Sequence, residues 1–490
     1  MASEDTIQRF LTVASEARLQ MIRQPAAATE LRDYLGTEVF GEYEALAERT
    51  GGAHLGGGPP NLIFVPGVMG SLLLSESLGG VWWIDARTRQ HIDDLRLSHD
   101  GLKDANPAHR IAPCSTDPSY EAFLAAVIEQ DAFSHVGFPY DWRKPLSASA
   151  PALRDRVVKL YEANGGEPVH LVAHSMGGLV VRSTLARFGD ELWDKIGRIV
   201  FLATPHYGSQ AIGGYLKNHL WGFDMMALLG VFLSRETYRS LWGVLNLLPA
   251  PRGIYPGTRA SDPQPWQSGD PNDPYPHPCC NFDLYQAKAW ELGLGPEQTA
   301  RLQAVLDGAA AFHRDLYQAH RDLPQDLRDR MLMIAGVGKE CLFRLANQER
   351  FFGLWEHMDK VTRRRPGDPH RDGDGRVPVA SAALEDVTIR YVRGVHAGVP
   401  NIPSVYQDVF RWLAGKRLDL PDTPEGALAQ HLGAADDSVS PHLDGTVRRG
   451  AEEDDPGYWE ADPPTGEDLQ DLEVRLDRGE LPEFVTTRMF

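Results

Sequence analysis

PVHLVAHSMGGLVVRSTLARFG, residues 168–189, is the stretch on which the fold turns. Its first six residues form a short apolar run with the character of a buried strand. From 176 onward Leu179, Val180, Leu185 and Phe188 recur at helical spacing as far as Gly189, a stop signal. Ser175 stands at the joint, with Ala173 two positions before it and Gly177 two positions after. A chain that passes at once from strand to helix leaves room only for small side chains at those two places. Ala173 replaces the more usual glycine but keeps the size requirement. Working outward, 61–65 (NLIFV), stopped by Pro66-Gly67, reads as an earlier strand, and 199–203 (IVFLA), stopped by Thr204-Pro205, as a later one. Strand, helix, strand with short joints is a parallel, right-handed unit. The sheet resumes at 331–335 (MLMIA) and 387–392 (VTIRYV), and a helix at 403–415 closes it. The class is therefore α/β, a mostly parallel sheet flanked by helices.

A serine on such a turn is aimed at chemistry. The turn also points the N-terminus of the following helix at the reacting group, so the backbone amide of Met176 is expected to donate to a developing oxyanion. A second donor is expected from the loop after an earlier strand. The loop PGVMGS (66–71) directly follows NLIFV, which selects the backbone amide of Val68. In the α/β-hydrolase fold a nucleophile of this kind is followed in the chain by an acid and then by a histidine. Beyond the Asp-rich loop at 368–374 only His396, His431 and His442 remain, and the last two lie in an acidic tail. His396, just past the strand 387–392, is the expected base. Asp374 is the expected orienting acid, with Asp372 a close alternative in the same DGDG run. That run does not fit a calcium loop, since Arg376 and Ala383 occupy two of its ligand positions. Gly336-Val337-Gly338-Lys339 lacks phosphate-loop spacing, and no metal or cofactor is expected. His174 precedes the serine and is expected to point elsewhere.

The remaining sequence frames this core. Residues 1–60 read as a polar helical segment followed by a Gly/Pro linker (51–60), 61–418 as the catalytic domain, and 419–490 as an acidic tail. Within the domain, 207–325 interrupts the strand rhythm and reads as a cap. The formal charge of −19 argues against a nucleic-acid partner. Residues 421–490 hold 18 acidic and 5 basic side chains, so the tail carries most of that excess and could serve a protein partner. The N-terminus has acids at Glu4 and Asp5 and no unbroken apolar core, and the four cysteines show no disulfide framework. A cytoplasmic location, peripheral to a membrane, is the expectation.

Four blocks in chain order give the sequence a resemblance to the lecithin:cholesterol acyltransferase-like lipases, a family that includes lysosomal-type phospholipase A and phospholipid:diacylglycerol acyltransferases. They are VPGVMGSLL (65–73), GFPYDWR (137–143), HLVAHSMGGLVVR (170–182) and FLATPHYGS (201–209), completed by DGDGRVP (372–378) and His396. GFPYDWR discriminates most, because generic hydrolases lack it. The resemblance spans about 61–416 and implies an α/β-hydrolase core, a cap, and cleavage or transfer of glycerophospholipid acyl chains. It places Ser175, Asp374 and His396 on the family's triad, Val68 and Met176 on its oxyanion amides, and Trp82 and Trp83 near its aromatic lid. The sequence departs from the secreted members in lacking a cysteine pair around that lid.

A lipid or membrane-surface substrate also follows from the residues. An acyl chain needs apolar surface near the nucleophile, and the cap sequence offers Trp221, Met225, Met226 and Leu229 among other large apolar side chains. The competing readings are a soluble carboxylesterase or thioesterase acting on short acyl groups, and a non-catalytic interaction protein on the same fold.

Overall fold

The computed structural model describes residues 2–50, 60–130, 132–217, 233–260, 282–341, 344–345, 358–359, 369–370 and 372–431. Trp221, Met225, Met226, Leu229 and the tail from 432 lie outside the described residues, as does the Gly/Pro linker at 51–59.

Among the described residues six strands form the central sheet: β1 (Leu62–Val65), β5 (His135–Gly137), β6 (Val169–His174), β7 (Ile196–Leu202), β8 (Met331–Val337) and β9 (Thr388–Arg393). Their order is β9-β8-β7-β6-β1-β5 and every pairing is parallel. Side chains alternate between faces along a strand, so a sheet buried on both sides needs nearly continuous apolar runs. Strand β1 shows this directly. Ile63 and Val65 enter the core shared with helices α6 (Ala150–Ala163) and α7 (Met176–Leu192), whereas Leu62 and Phe64 enter the opposite core. That second core is filled by α5 (Glu121–Ile128) and a helix at Pro403–Leu413. The stop expected at Gly189 is a kink: Phe188 leaves helical geometry (φ −128°), yet the helix continues to Leu192.

A separate antiparallel sheet, β3-β2-β4, lies beside the main one, with β2 at Ser71–Ser75, β3 at Val81–Trp83 and β4 at Ile111–Thr116. Against it pack four N-terminal helices, α1 (Ala2–Thr12), α2 (Ser15–Ile22), α3 (Pro25–Leu35) and α4 (Thr37–Thr50). They share a core of Phe10, Leu19, Leu31, Phe40 and Tyr43 with Leu72, Val81 and Ala125 of the domain. The segment is thus docked onto the domain rather than appended to it. A buried ion pair, Arg18 Nη1 to Glu121 Oε1 at 2.6 Å, crosses the junction. At the other end the chain does not leave the fold near 418. Leu420 is buried, the amide of Tyr391 donates to the carbonyl of Pro421 (2.9 Å), and a helix at Pro424–His431 packs against β9.

The described part of the 207–325 insertion holds α8 (Gln210–Lys217), two short helical turns (Arg235–Arg239 and Trp242–Leu245) and α9, a 27-residue helix at Pro296–Asp322. Its apolar residues Leu241, Val244, Leu245, Leu302, Val305 and Leu306 join the core that holds α7. No helix among the described residues is long and apolar enough to cross a membrane.

Candidate active site

Ser175 joins β6 to α7 with φ 50° and ψ −126°, a left-handed conformation for a residue with a side chain. The turn is tight for a visible reason. A Cβ on Gly177 would stand 2.4 Å from the carbonyl oxygen of Val65 and 2.5 Å from that of Pro66, so the helix starts directly against the end of β1. Glycine at 177 lets that approach occur.

The three residues expected to act together meet. His396 Nε2 lies 2.8 Å from Ser175 Oγ, and His396 Nδ1 lies 2.8 Å from Asp374 Oδ2. All three are buried. Asp374 Oδ1 accepts from the backbone amides of Val377 (2.7 Å) and Arg376 (2.9 Å), and the amide of His396 donates to the carbonyl of Asp374 (2.9 Å). Asp372 is turned the other way: its Oδ1 accepts from the amide of Gly338 at 2.9 Å. The contact with the histidine thus belongs to Asp374. Among the described residues no group of three or more His, Cys, Asp or Glu is arranged to hold a metal ion.

The loop carrying Val68 lies against the serine. A Cβ on Gly67 would be 3.0 Å from the Cβ of Ser175. Met69, with φ 60°, turns the loop back, and its carbonyl accepts from Trp83 Nε1 at 2.9 Å. Tyr140 Oη donates to the carbonyl of Pro66 (3.0 Å), and Trp142 Nε1 to that of Ser71 (3.0 Å). Tyr140 and Trp142 belong to GFPYDWR, so this block braces both ends of the loop. Its arginine is locked in turn: Arg143 grips Asp141 through Nε and Nη2 (both 2.8 Å), pairs with Asp104 (2.9 Å) and donates to the carbonyl of Leu95 (3.0 Å). The sequence marks GFPYDWR as distinctive but shows no bracing role, because the loop it braces lies some seventy residues away in the chain.

Two expectations are corrected here. Trp82 and Trp83 do not form an exposed lid. Both are fully buried in β3, where Trp83 packs edge-on against Trp142 (4.9 Å between centroids) and Trp82 stacks on His91 (4.3 Å). Their indole hydrogens donate to backbone carbonyls, which fixes the rings in place. His174 does not point away from the site. It lies buried with its ring centroid 5.0 Å from that of His396; Nδ1 is 2.9 Å from Tyr120 Oη and Nε2 is 3.0 Å from the carbonyl of His396. Burial, reinforced by the neighbouring His396, holds its imidazole well below the ordinary range, so it is neutral.

Residues 128–251 match the family model described as lecithin:cholesterol acyltransferase. Phospholipase A(1) LCAT3 of Arabidopsis thaliana is 25% identical over 320 residues, covering 60% of this chain and 68% of the relative. Lysosomal phospholipase A and acyltransferase of Bos taurus is 37% identical over 75 residues, only 15% of this chain and 18% of that protein. Among solved structures, a chain of the Tle4–Tli4 complex is 14% identical with a TM-score of 0.45, covering 72% of this chain and 96% of that one. The serine at the strand-to-helix turn of a parallel sheet gives the chain the α/β-hydrolase fold, and the match over 128–251 makes it an enzyme similar to the lecithin:cholesterol acyltransferase family.

Proposed function

We propose that the protein cleaves the acyl esters of glycerophospholipids in phospholipase A fashion, through an acyl-Ser175 intermediate that water or a second alcohol resolves. The observation that carries this is the hydrogen-bonded line from Ser175 Oγ through His396 to Asp374. In that line His396 Nε2 takes the serine proton as Oγ attacks the ester carbonyl, and returns it to the leaving alcohol. Asp374 holds the Nδ1–H tautomer and stabilises the imidazolium. The amides of Val68 and Met176 are the donors assigned to the tetrahedral oxyanion. Two observations support a lipid ester. The two curated relatives are named a phospholipase A(1) and a phospholipase A and acyltransferase. The sequence from 220 to 233 supplies ten large apolar side chains, and burying an acyl chain is worth about 0.8 kcal/mol per CH₂.

Phosphatidylcholine vesicles with labelled acyl chains, with and without an added long-chain alcohol, test the reading. Free labelled fatty acid, or labelled ester of the alcohol, is the expected product. Ser175→Ala should lower its rate by at least about 10³-fold and abolish labelling by a fluorophosphonate. Turnover confined to short water-soluble esters, with none on vesicles, would return the site to a soluble esterase.

A further inference from the structure

Tyr120 sits at the start of α5, and its fully buried phenol ends inside the loop that carries Val68. Its hydroxyl accepts from the amide of Gly67 at 3.0 Å. The loop is closed around that oxygen. A Cβ on Gly70 would come within 2.9 Å of it, and one on Gly67 within 3.2 Å of it and 3.1 Å of His174 Nδ1. On its other side the phenol meets His174, which in turn reaches the backbone of His396.

The protons along this line have one consistent arrangement. The carbonyl of His396 can only accept, so His174 Nε2 carries its hydrogen. A neutral imidazole then has a lone pair at Nδ1, which accepts from the Tyr120 O–H. The phenol oxygen, its own hydrogen committed, accepts from Gly67 N–H. Gly67 N–H, Tyr120 O–H and His174 Nε2–H therefore all point along the chain toward the carbonyl of His396, and each is used.

From this geometry we propose that Tyr120 and His174 form a positioning bridge that holds the oxyanion loop and the His396 loop in register across the nucleophile. Neither residue touches the reacting atoms. Each end of the bridge ends on backbone, one on the loop of Val68 and one on the residue that moves the proton. Oxyanion stabilisation and base presentation then depend on one shared set of hydrogen bonds. The inference rests on the roles assigned above to Val68 and His396.

Tyr120→Phe removes a single oxygen and keeps the ring that fills the core. His174→Gln retains a donor for the carbonyl of His396 but releases Tyr120, whereas His174→Asn retains an acceptor for Tyr120 but releases His396. Kinetics on a soluble p-nitrophenyl ester, normalised to active sites titrated with fluorophosphonate, give kcat and KM separately. Each variant is expected to lower kcat about 10- to 100-fold, approaching the loss of an oxyanion donor, with KM within about twofold. Because one bridge is cut in each case, Tyr120→Phe combined with His174→Gln should be no more than about threefold slower than the worse single variant. Multiplying losses in the double variant, or a kcat within twofold of the parent for Tyr120→Phe, overturns the bridge. If Tyr120→Phe does not fold, the two His174 variants decide on the same readouts. Ser175→Ala separates the two levels. An inactive Ser175→Ala beside an undiminished Tyr120→Phe sinks only the bridge, whereas an active Ser175→Ala sinks the proposed function and the bridge together.

Discussion

Asp374 uses its two carboxylate oxygens for different tasks, and that division makes a sharp prediction. Oδ1 is held by the amides of Arg376 and Val377, while Oδ2 faces His396 Nδ1. In Asp374→Asn the two amides would claim the side-chain carbonyl, which leaves the NH₂ group facing Nδ1. The imidazole must then carry its hydrogen on Nε2, pointing at Ser175, and can no longer take the serine proton. The variant should keep its fold and its affinity for substrate and lose about 10³–10⁴ in kcat, measured by steady-state kinetics on a soluble ester. A loss below tenfold would show that the tautomer is not set by this carboxylate. Asp372→Asn, whose side chain bonds Gly338 instead, should be much milder on kcat. From sequence alone these two acids were not separable. Both lie in one DGDG run two residues apart, and which of them turns toward the histidine depends on how β8 and the loop at 372–378 pack, a tertiary matter.

At the scale of elements, the turn from β6 to α7 is where local sequence and global fold agree most closely. Small residues around Ser175 were readable because the steric demand is local, and the crowding at Gly177 against Val65 and Pro66 is that demand in three dimensions. Gly177→Ala puts a methyl into two backbone carbonyls that belong to β1 and cannot rotate away. Either α7 or the end of β1 must shift, and with it Ser175 or the loop of Val68. Activity should fall by at least about 10²-fold, and the thermal midpoint should drop by several degrees. A folded variant with parental kcat would mean that the turn tolerates slack. The parallel strands were legible for a related reason, since a doubly buried sheet writes itself as apolar runs. What failed to show was burial that depends on distant partners. The aromatic pair Trp82-Trp83 reads as apolar surface in isolation, but whether it faces a ligand or Trp142 is settled by β2 and the GFPYDWR block. His174 gives no such signal in the sequence, where it only precedes the nucleophile; its partners, Tyr120 and the backbone of His396, come from distant elements.

For the whole molecule, the buried histidines set a stability profile against pH. His174, His206 and His313 are fully buried, and burial first of all lowers the pKa of each, to about 4 for His313 and well below the ordinary value for the other two. Above the unfolded value of about 6.5 both folded and unfolded chains hold these rings neutral, and they contribute nothing to the pH dependence. As pH falls below 6.5 the unfolded chain binds protons that the folded chain refuses, so stability is lost until the folded pKa is passed. Each ring contributes about 1.4 kcal/mol per pH unit inside that window. Asp117 works in the opposite sense, because burial raises its pKa and the folded state protonates first, which offsets at most one proton in the more acidic part of the window. His135, His170 and His320 are lowered by burial as well, so several protons are taken up on unfolding as pH falls below about 6, each worth about 1.4 kcal/mol per unit against the roughly 5–15 kcal/mol that stabilises a typical domain. Urea midpoints at pH 7.5, 6.5 and 5.0 measure this directly. They should change little between 7.5 and 6.5 and then fall steeply, with unfolding of the N-terminal helices tracking the domain because Arg18 and Glu121 tie the two through a buried ion pair. A midpoint constant down to pH 5 would require these imidazoles to be charged, or solvated, in the folded protein.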